Sequence, residues 1–573
     1  MCAEQSQDAG PSHRAGISRL KALHLGGAPS VAHPMVSGSE LVAMSLRSLG
    51  IAWIAGVEGS PVRGIYRACA KEGLRLLITR SQSGASLMTA ASAFVAGRPS
   101  GAVVLSAGPA VTNAMTGMLV AHDNHWPLLM LGGRRSLGDP GRGHFQEIDT
   151  AALVRPIAKW SSCVRDVAEI PRLIQDALCI AQSDQPGPVY LDLPEDILET
   201  LTPSQDVVAP RPPTWINPTI DQLERVAARI HDARNPVLVV GEGARWRLDP
   251  GEIRSWLEHL RMPVVPLPLM RGVVTDTHSW VSADARSRAL ALAQADLVLI
   301  LGADLDWRLR FGAELHPRAS VIQIRESASP TLHWEERIDV IQAEPGLFLN
   351  GLRQQLAMVP RLQLAPTHGG ETATRSLPCT SGTSTTRDRL SLNEIFEVVH
   401  DTLPPEAFLV LDGKLTLEAG QLFLPRQHPF LHLDPGWNGC MGSGIPFAMA
   451  ARLHHPNRPV LLVTGDFAFG LGAIELETVA RLDLALVVLI VNNDGPSGGR
   501  NQSELLPQGH PETSHRYQAG LGYENVATGL GMAATRATTS LELRAALQAA
   551  LEESQPHLIN ALTDPMSTPC GHP

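Results

Sequence analysis

This sequence has no Cys-x-x-Cys pair, no block of Lys or Arg, and no apolar run approaching the ~20 residues of a membrane helix. Its seven cysteines are scattered at 2, 69, 163, 179, 379, 440 and 570, which argues against a zinc site or a disulfide framework and suits a reducing, cytoplasmic compartment. A net charge of −10 and a pI near 6.1, without any basic stretch, set aside nucleic acid and anionic membranes as partners. The opening segment mixes Ser, Gly, His and charges and lacks an apolar h-region, so residues 1–35 read as a loose extension rather than a secretory signal.

What is present is enough apolar material for several cores. The chain has 573 residues, 44% of them hydrophobic, and exceeds what one core usually supports, so about three domains are expected. Strand and helix signals alternate throughout, which implies an α/β protein of parallel, doubly wound sheets with right-handed crossovers. Pro-rich Ala209-Pro210-Arg211-Pro212-Pro213 marks one linker, and the Thr/Ser/Gly-rich stretch Pro366 to Arg389 a second. The expected layout is 36–201, a middle unit 214–360, a linker 361–390 and a last unit 391–565.

The most informative segment lies in the last unit. Val460-Leu461-Leu462-Val463 has the continuous apolar character of a strand buried on both faces. It runs into Gly465-Asp466-Phe467, then into helically spaced Ile474, Leu476, Val479, Ala480 and Leu482, then into the apolar run 484–491 and Asn492-Asn493. The 27 positions from Asp466 to Asn493 match one strand–helix–strand crossover, which brings side chains at neighbouring strand tips together. Asp466, the Asn493 amide oxygen and the Gly495 carbonyl are the hard oxygen donors that Mg²⁺ takes alongside phosphate oxygens. The free N–H groups of the helix start suit a diphosphate.

On these residues the chain resembles thiamine diphosphate (ThDP) enzymes, particularly acetolactate synthase and benzaldehyde lyase, from about Val36 to Leu562. Three further stretches carry the resemblance: residues 105–117 with 126–133, His144-Phe145-Gln146-Glu147-Ile148-Asp149 with Arg155 to Trp160, and Gly436 to Gly444. The first also reads directly as a strand end, a turn and a Thr112 cap opening a helix. The resemblance implies a pyrimidine-binding domain, a middle domain and a diphosphate-binding domain, with ThDP and Mg²⁺ as cofactors. It implies that the Gly439 carbonyl and the Met441 side chain hold the aminopyrimidine, and that Lys414, Leu415, Thr416, Gly465, Phe467 and Ala468 line the diphosphate. It implies C–C bond making or breaking beside the carbonyl of a 2-keto acid or aldehyde, acetolactate synthase-like transfer from pyruvate being favoured, in a homodimer or homotetramer. Gln146 and His144 are the polar groups expected near the substrate.

Two residues depart from the family pattern. Gln82 stands where the family has a glutamate that exchanges a proton with the pyrimidine ring, and an amide cannot do so. Glu58, in the loop after a neighbouring strand, is the candidate substitute. Phe467 stands where the motif has a small residue, at a cost of roughly 1–2 kcal/mol if the backbone there is left-handed. Both departures favour an alternative, a catalytically weakened paralogue kept for binding or assembly. In the middle unit the Gly241-Glu242-Gly243-Ala244 turn is a weak nucleotide signal. FAD, which some relatives bind there, is doubtful because Arg325-Glu326 replaces the usual acidic pattern.

Overall fold

The computed structural model describes residues 34–138, 141–204, 209–251, 253–255, 262–326, 338–356, 388–496, 516–553 and 555–569. The expected extension 1–35 and linker 361–390 lie almost wholly outside the described residues. Three all-parallel sheets carry the chain. The first contains β1 (Trp53–Gly56), β2 (Arg75–Ile78), β3 (Gly101–Leu105), β4 (Leu128–Arg134), β5 (Trp160–Cys163) and β6 (Pro188–Pro194) in the order β2-β1-β3-β4-β6-β5. The middle sheet has β7 (Pro236–Val240), β8 (Val264–Pro266), β9 (Leu297–Leu301), β10 (Ser320–Arg325) and β11 (Ile338–Gln342) in the order β8-β7-β9-β10-β11. The last has β12 (Phe408–Asp412), β13 (His432–Leu433), β14 (Val460–Gly465), β15 (Val487–Asn492), β16 (Ala533–Ala537) and β17 (His557–Leu562) in the order β13-β12-β14-β15-β17-β16.

These orders share one logic. In each sheet the chain steps to one side from its first strand and then reverses, so two neighbouring strands send their crossovers in opposite directions. A crevice opens beyond their C-terminal tips, where ligands of such sheets bind. It lies between β1 and β3, between β7 and β9, and between β12 and β14.

The first and last sheets are joined through three helices: α1 (Gln82–Ala96), α2 (Pro109–Asp123) and, from the last domain, α4 (Gly444–His454); α3 (Lys414–Phe423) follows β12. Phe94, Trp126 and Phe447 are fully buried between them, with ring centroids 5.3 and 5.6 Å apart. α1 and α2 approach closely because Gly117 has no side chain: a Cβ there would meet the Leu87 nitrogen at 2.5 Å. Thr112 is not the cap of α2. Pro109 occupies the first helical position and Gly108, at φ +57, makes the turn before it, while Thr112 donates its hydroxyl to the Pro109 carbonyl. The expected helix after β14 is broken into α5 (Asp466–Gly472), a 3₁₀ turn at Ala473–Glu475 and a helix Leu476–Arg481. Among the described residues no helix is long and apolar enough to cross a membrane.

Between the first and middle domains lies a buried acidic contact. Burial, with Glu344 and Asp184 nearby, pushes the Glu326 carboxyl up to about 9 against the pull of Lys159 and Arg247. Its Oε1 has no hydrogen-bond partner. A carboxyl whose folded pKa is raised stabilises the fold below its unfolded value and loses that contribution as pH rises towards the folded value, by up to ~1.4 kcal/mol per pH unit. Glu326→Gln therefore leaves the thermal midpoint unchanged at pH 5 and raises it by several degrees at pH 9, read by calorimetric melting across that range.

Candidate functional site

β14 and β15 pair so that Gly465 lies opposite Val491. Asp466, the next residue, opens α5 at the tip of β14, beside the tip of β15 where Asn492 and Asn493 follow Val491. Asp466 and Asn493 are both buried. The Asp466 carboxylate accepts the Gly495 N–H at 2.8 Å, and burial pushes its carboxyl up to about 7. Gly495 takes φ +123, and Asp494, at φ +63, is itself buried, paired with Arg389 at 2.8 Å and accepting the Gly520 N–H. The chain thus folds a reluctant anion into a confined corner, where a divalent cation, if bound, would favour its ionised form. Asn492, by contrast, donates to the Leu521 carbonyl and to Asn560 and belongs to the sheet.

Phe467 sits in the first turn of α5, outside the left-handed region, so the feared strain does not arise. Its ring stacks against Tyr517 at 6.4 Å and 20°. Added Cβ atoms at Gly465, Gly470 and Gly439 would touch nothing within 4 Å, which leaves space for a diphosphate and a ring against bare backbone. Ala468 is buried behind that space. Lys414 is exposed, and Leu415 packs into the core. Thr416 is turned inward: its hydroxyl donates to the Asp412 and Gly413 carbonyls at 2.5 and 2.6 Å and ties the turn.

Asp412, at the tip of β12, escaped the sequence reading. Its Oδ2 accepts the N–H groups of Gly442 and Gly444 at 3.0 and 2.8 Å and so pins the segment carrying Met441. Burial pushes its carboxyl up to about 7, and Oδ1 has no partner. The same segment is anchored to the C-terminal end of α2. Asn124 donates to the Pro435 carbonyl and accepts the Trp437 N–H, and Asn438 donates to Asp123. Gly439 takes φ +67 and Met441 is exposed, as a ring-holding pair requires. The residues present fit ThDP with Mg²⁺.

The pyrimidine-domain residues gather at the other end of α2. Gln82 opens α1, and its side-chain oxygen accepts from Asn113 at 2.6 Å. Gln146, at φ +60, packs on Gly108 at the start of α2, where a Cβ would lie 3.0 Å from its own. His144 is exposed, and its N–H donates to Glu147. Glu58 follows β1 as expected but is exposed, 3.6 Å from Arg63. Along α2, Asn113 and Asp123 are ten residues, or about 15 Å, apart. One chain therefore holds its Gln82 and its Gly439 at opposite ends of a helix.

The middle crevice is a cavity of about 430 Å³ lined by Glu242, Asp304, Asp306, Arg308, Arg325 and Trp307, among others. Arg308 is paired with Asp306 and Glu242, and Arg325 with Asp304. The Gly241–Gly243 turn packs on Gly302 and Ala303. Carboxylates at both strand tips, with their arginines engaged, do not fit the diphosphate of FAD.

Comparison with known proteins agrees with this arrangement. Family models for the thiamine pyrophosphate enzyme match as the N-terminal TPP binding domain at residues 36–153, the central domain at 223–341 and the C-terminal TPP binding domain at 413–561. A 2-hydroxyacyl-CoA lyase from Oryza sativa subsp. japonica is 31% identical over 92% of this chain and 96% of its own length. A probable acetolactate synthase from Mycobacterium bovis is 30% identical over 92% and 95%. The X-ray structure of a putative thiamin diphosphate-dependent enzyme from Mycobacterium smegmatis superposes with a TM-score of 0.80 at 21% identity, covering 93% of this chain and all of that one. The chain belongs to the thiamine pyrophosphate enzyme family and is a ThDP-dependent enzyme that makes or breaks C–C bonds.

Proposed function

We propose that the protein is a Mg²⁺- and ThDP-dependent lyase or carboligase that takes an acyl unit from a small 2-keto acid of the pyruvate type and passes it to a second carbonyl. The observation that carries this is the turn Asn493–Gly495 closing on Asp466, whose carboxylate accepts the Gly495 N–H, beside the open backbone of Gly465 and Gly470. Asp466, Asn493 and Gly495 would hold the metal, and the Gly439 carbonyl and Met441 the ring. When bound, ThDP supplies the nucleophilic carbon and the electron sink. Gln82 donates to the pyrimidine, Gln146 orients the substrate carbonyl, and the apolar walls exclude water. Cleavage of a 2-hydroxyacyl-CoA is the second reading, favoured by the rice relative's match along nearly its whole length.

The placing of Gln82 and of the Gly439 segment at Asn113 and at Asp123, about 15 Å apart along α2, supports a site shared between two copies, the pyrimidine domain of one facing the diphosphate domain of the other. Both halves carry exposed apolar side chains for such a contact: Phe145 and Ile148 beside Gln146, and Met441, Leu471 and Ile474 beside the diphosphate crevice. Sedimentation is expected to give a dimer or tetramer. The function is tested by calorimetric titration with ThDP and Mg²⁺, then by a panel of pyruvate, aldehydes and a 2-hydroxyacyl-CoA followed for carbon dioxide, hydroxyketone and aldehyde release. Binding without turnover on any of them would favour the weakened paralogue, and absence of ThDP binding would overturn the reading.

A further inference from the structure

We propose that Asn113 is a positioning residue that fixes the polarity of Gln82, so that an amide N–H, and not the C=O, faces the pyrimidine ring; this rests on the ThDP reading of the site. Two sets of bonds lead to it. The first fixes the backbone of Gln82. Glu475, 1% exposed and belonging to the diphosphate domain, accepts the N–H groups of Arg80 and Ser81 at 3.1 and 2.8 Å and the Ser81 hydroxyl at 2.9 Å. Thr478 donates at 2.7 Å to Oε2, the oxygen that also takes the Arg80 N–H, while Ser81 holds Oε1. Ser81 in turn caps α1 by accepting the Gly84 N–H at 2.9 Å. Gln82, the first residue of that helix, therefore starts from a clamped peptide.

The second bond fixes the side chain. Asn113, in the second turn of α2, donates its amide N–H to Gln82 Oε1 at 2.6 Å. That bond takes one lone pair of Oε1 and turns this oxygen towards α2; the two hydrogens on Gln82 Nε2 are left to face the ring, and among the described residues nothing accepts them. An amide set this way binds a ring nitrogen through its lone pair, the state in which the ring is uncharged. The reverse setting would present a C=O and favour a protonated ring nitrogen. Asn113 thus selects the ring state that this glutamate-free site holds.

The test compares ThDP with its analogue in which ring nitrogen N1′ is replaced by C–H, each titrated calorimetrically with Mg²⁺ into the full-length protein. The wild type is expected to bind ThDP roughly threefold to tenfold more tightly than the analogue, the yield of one hydrogen bond. Asn113→Asp, which can only accept, turns Gln82 round to donate to it and brings that ratio to one or below. Asn113→Ala frees the side chain and lowers the ratio without adding charge, and it carries the test if the Asp variant fails to fold. An unchanged ratio in the folded variants would overturn the role of Asn113. Equal affinity of the wild type for both compounds would overturn the Gln82 contact while leaving ThDP binding intact. Failure of both compounds to bind would fall on the ThDP reading itself.

Discussion

Asp466→Ala is expected to abolish ThDP binding in the presence of Mg²⁺, lowering affinity by roughly 10²–10⁴-fold, while the protein stays folded. Asp466 is the one proposed metal ligand with a full charge, since Asn493 and Gly495 contribute neutral oxygens. Removing one member of a buried charge pair typically costs ~3–5 kcal/mol, and that cost converts to the stated affinity range. Stability should move the other way. Burial already pushes this carboxyl up to about 7, so the unliganded fold gains nothing by keeping it charged. Asp466→Asn separates the two effects, because its amide oxygen can still accept the Gly495 N–H that the carboxylate accepts now. A melting midpoint at or above that of the wild type, together with lost cofactor binding, is the expected pair of results. Undiminished ThDP affinity in either variant would remove the metal role of Asp466.

The sequence made the strand–crossover–strand frame legible because β14 and β15 are buried on both faces and so are written as unbroken apolar runs. The middle strands at Pro236–Val240 and Leu297–Leu301 are unbroken apolar runs for the same reason. Helix detail was less legible. Gly470 and Gly472 interrupt the stretch after Asp466, and a period drawn from Ile474 to Leu482 passes over the 3₁₀ turn that divides it. Thr416 looked like a phosphate donor, yet the tight turn after β12 consumes its hydroxyl, a local contest that residue type does not reveal. Asp412, Asn113 and Glu475 went unread for a different reason. Each acts through a partner that is distant in sequence, Glu475 on Ser81 across 394 residues, and spacing within one motif carries no information about such a contact.

Gln82→Glu is expected to accelerate exchange of the C2 proton of bound ThDP by about 10²-fold or more, the scale on which a positioned acid–base group contributes. A carboxyl at this position can hold and return a proton to the ring nitrogen that the amide can only donate towards. The surroundings suit the change. The new side chain would open α1, where the helix dipole favours a negative charge. It would also keep its acceptor bond from Asn113, because either carboxylate oxygen can replace the amide oxygen at 2.6 Å. The variant should therefore gain a pH dependence of exchange, set by titration of the glutamate and ring-nitrogen pair, that the wild type lacks in the same range. Exchange read by proton NMR after acid quench in deuterated buffer measures the step without a known substrate. An unchanged rate and a flat pH profile would mean that residue 82 does not reach the ring, and the proton relay would then have to be sought at Glu58, the other carboxylate at the tips of β1 and β2.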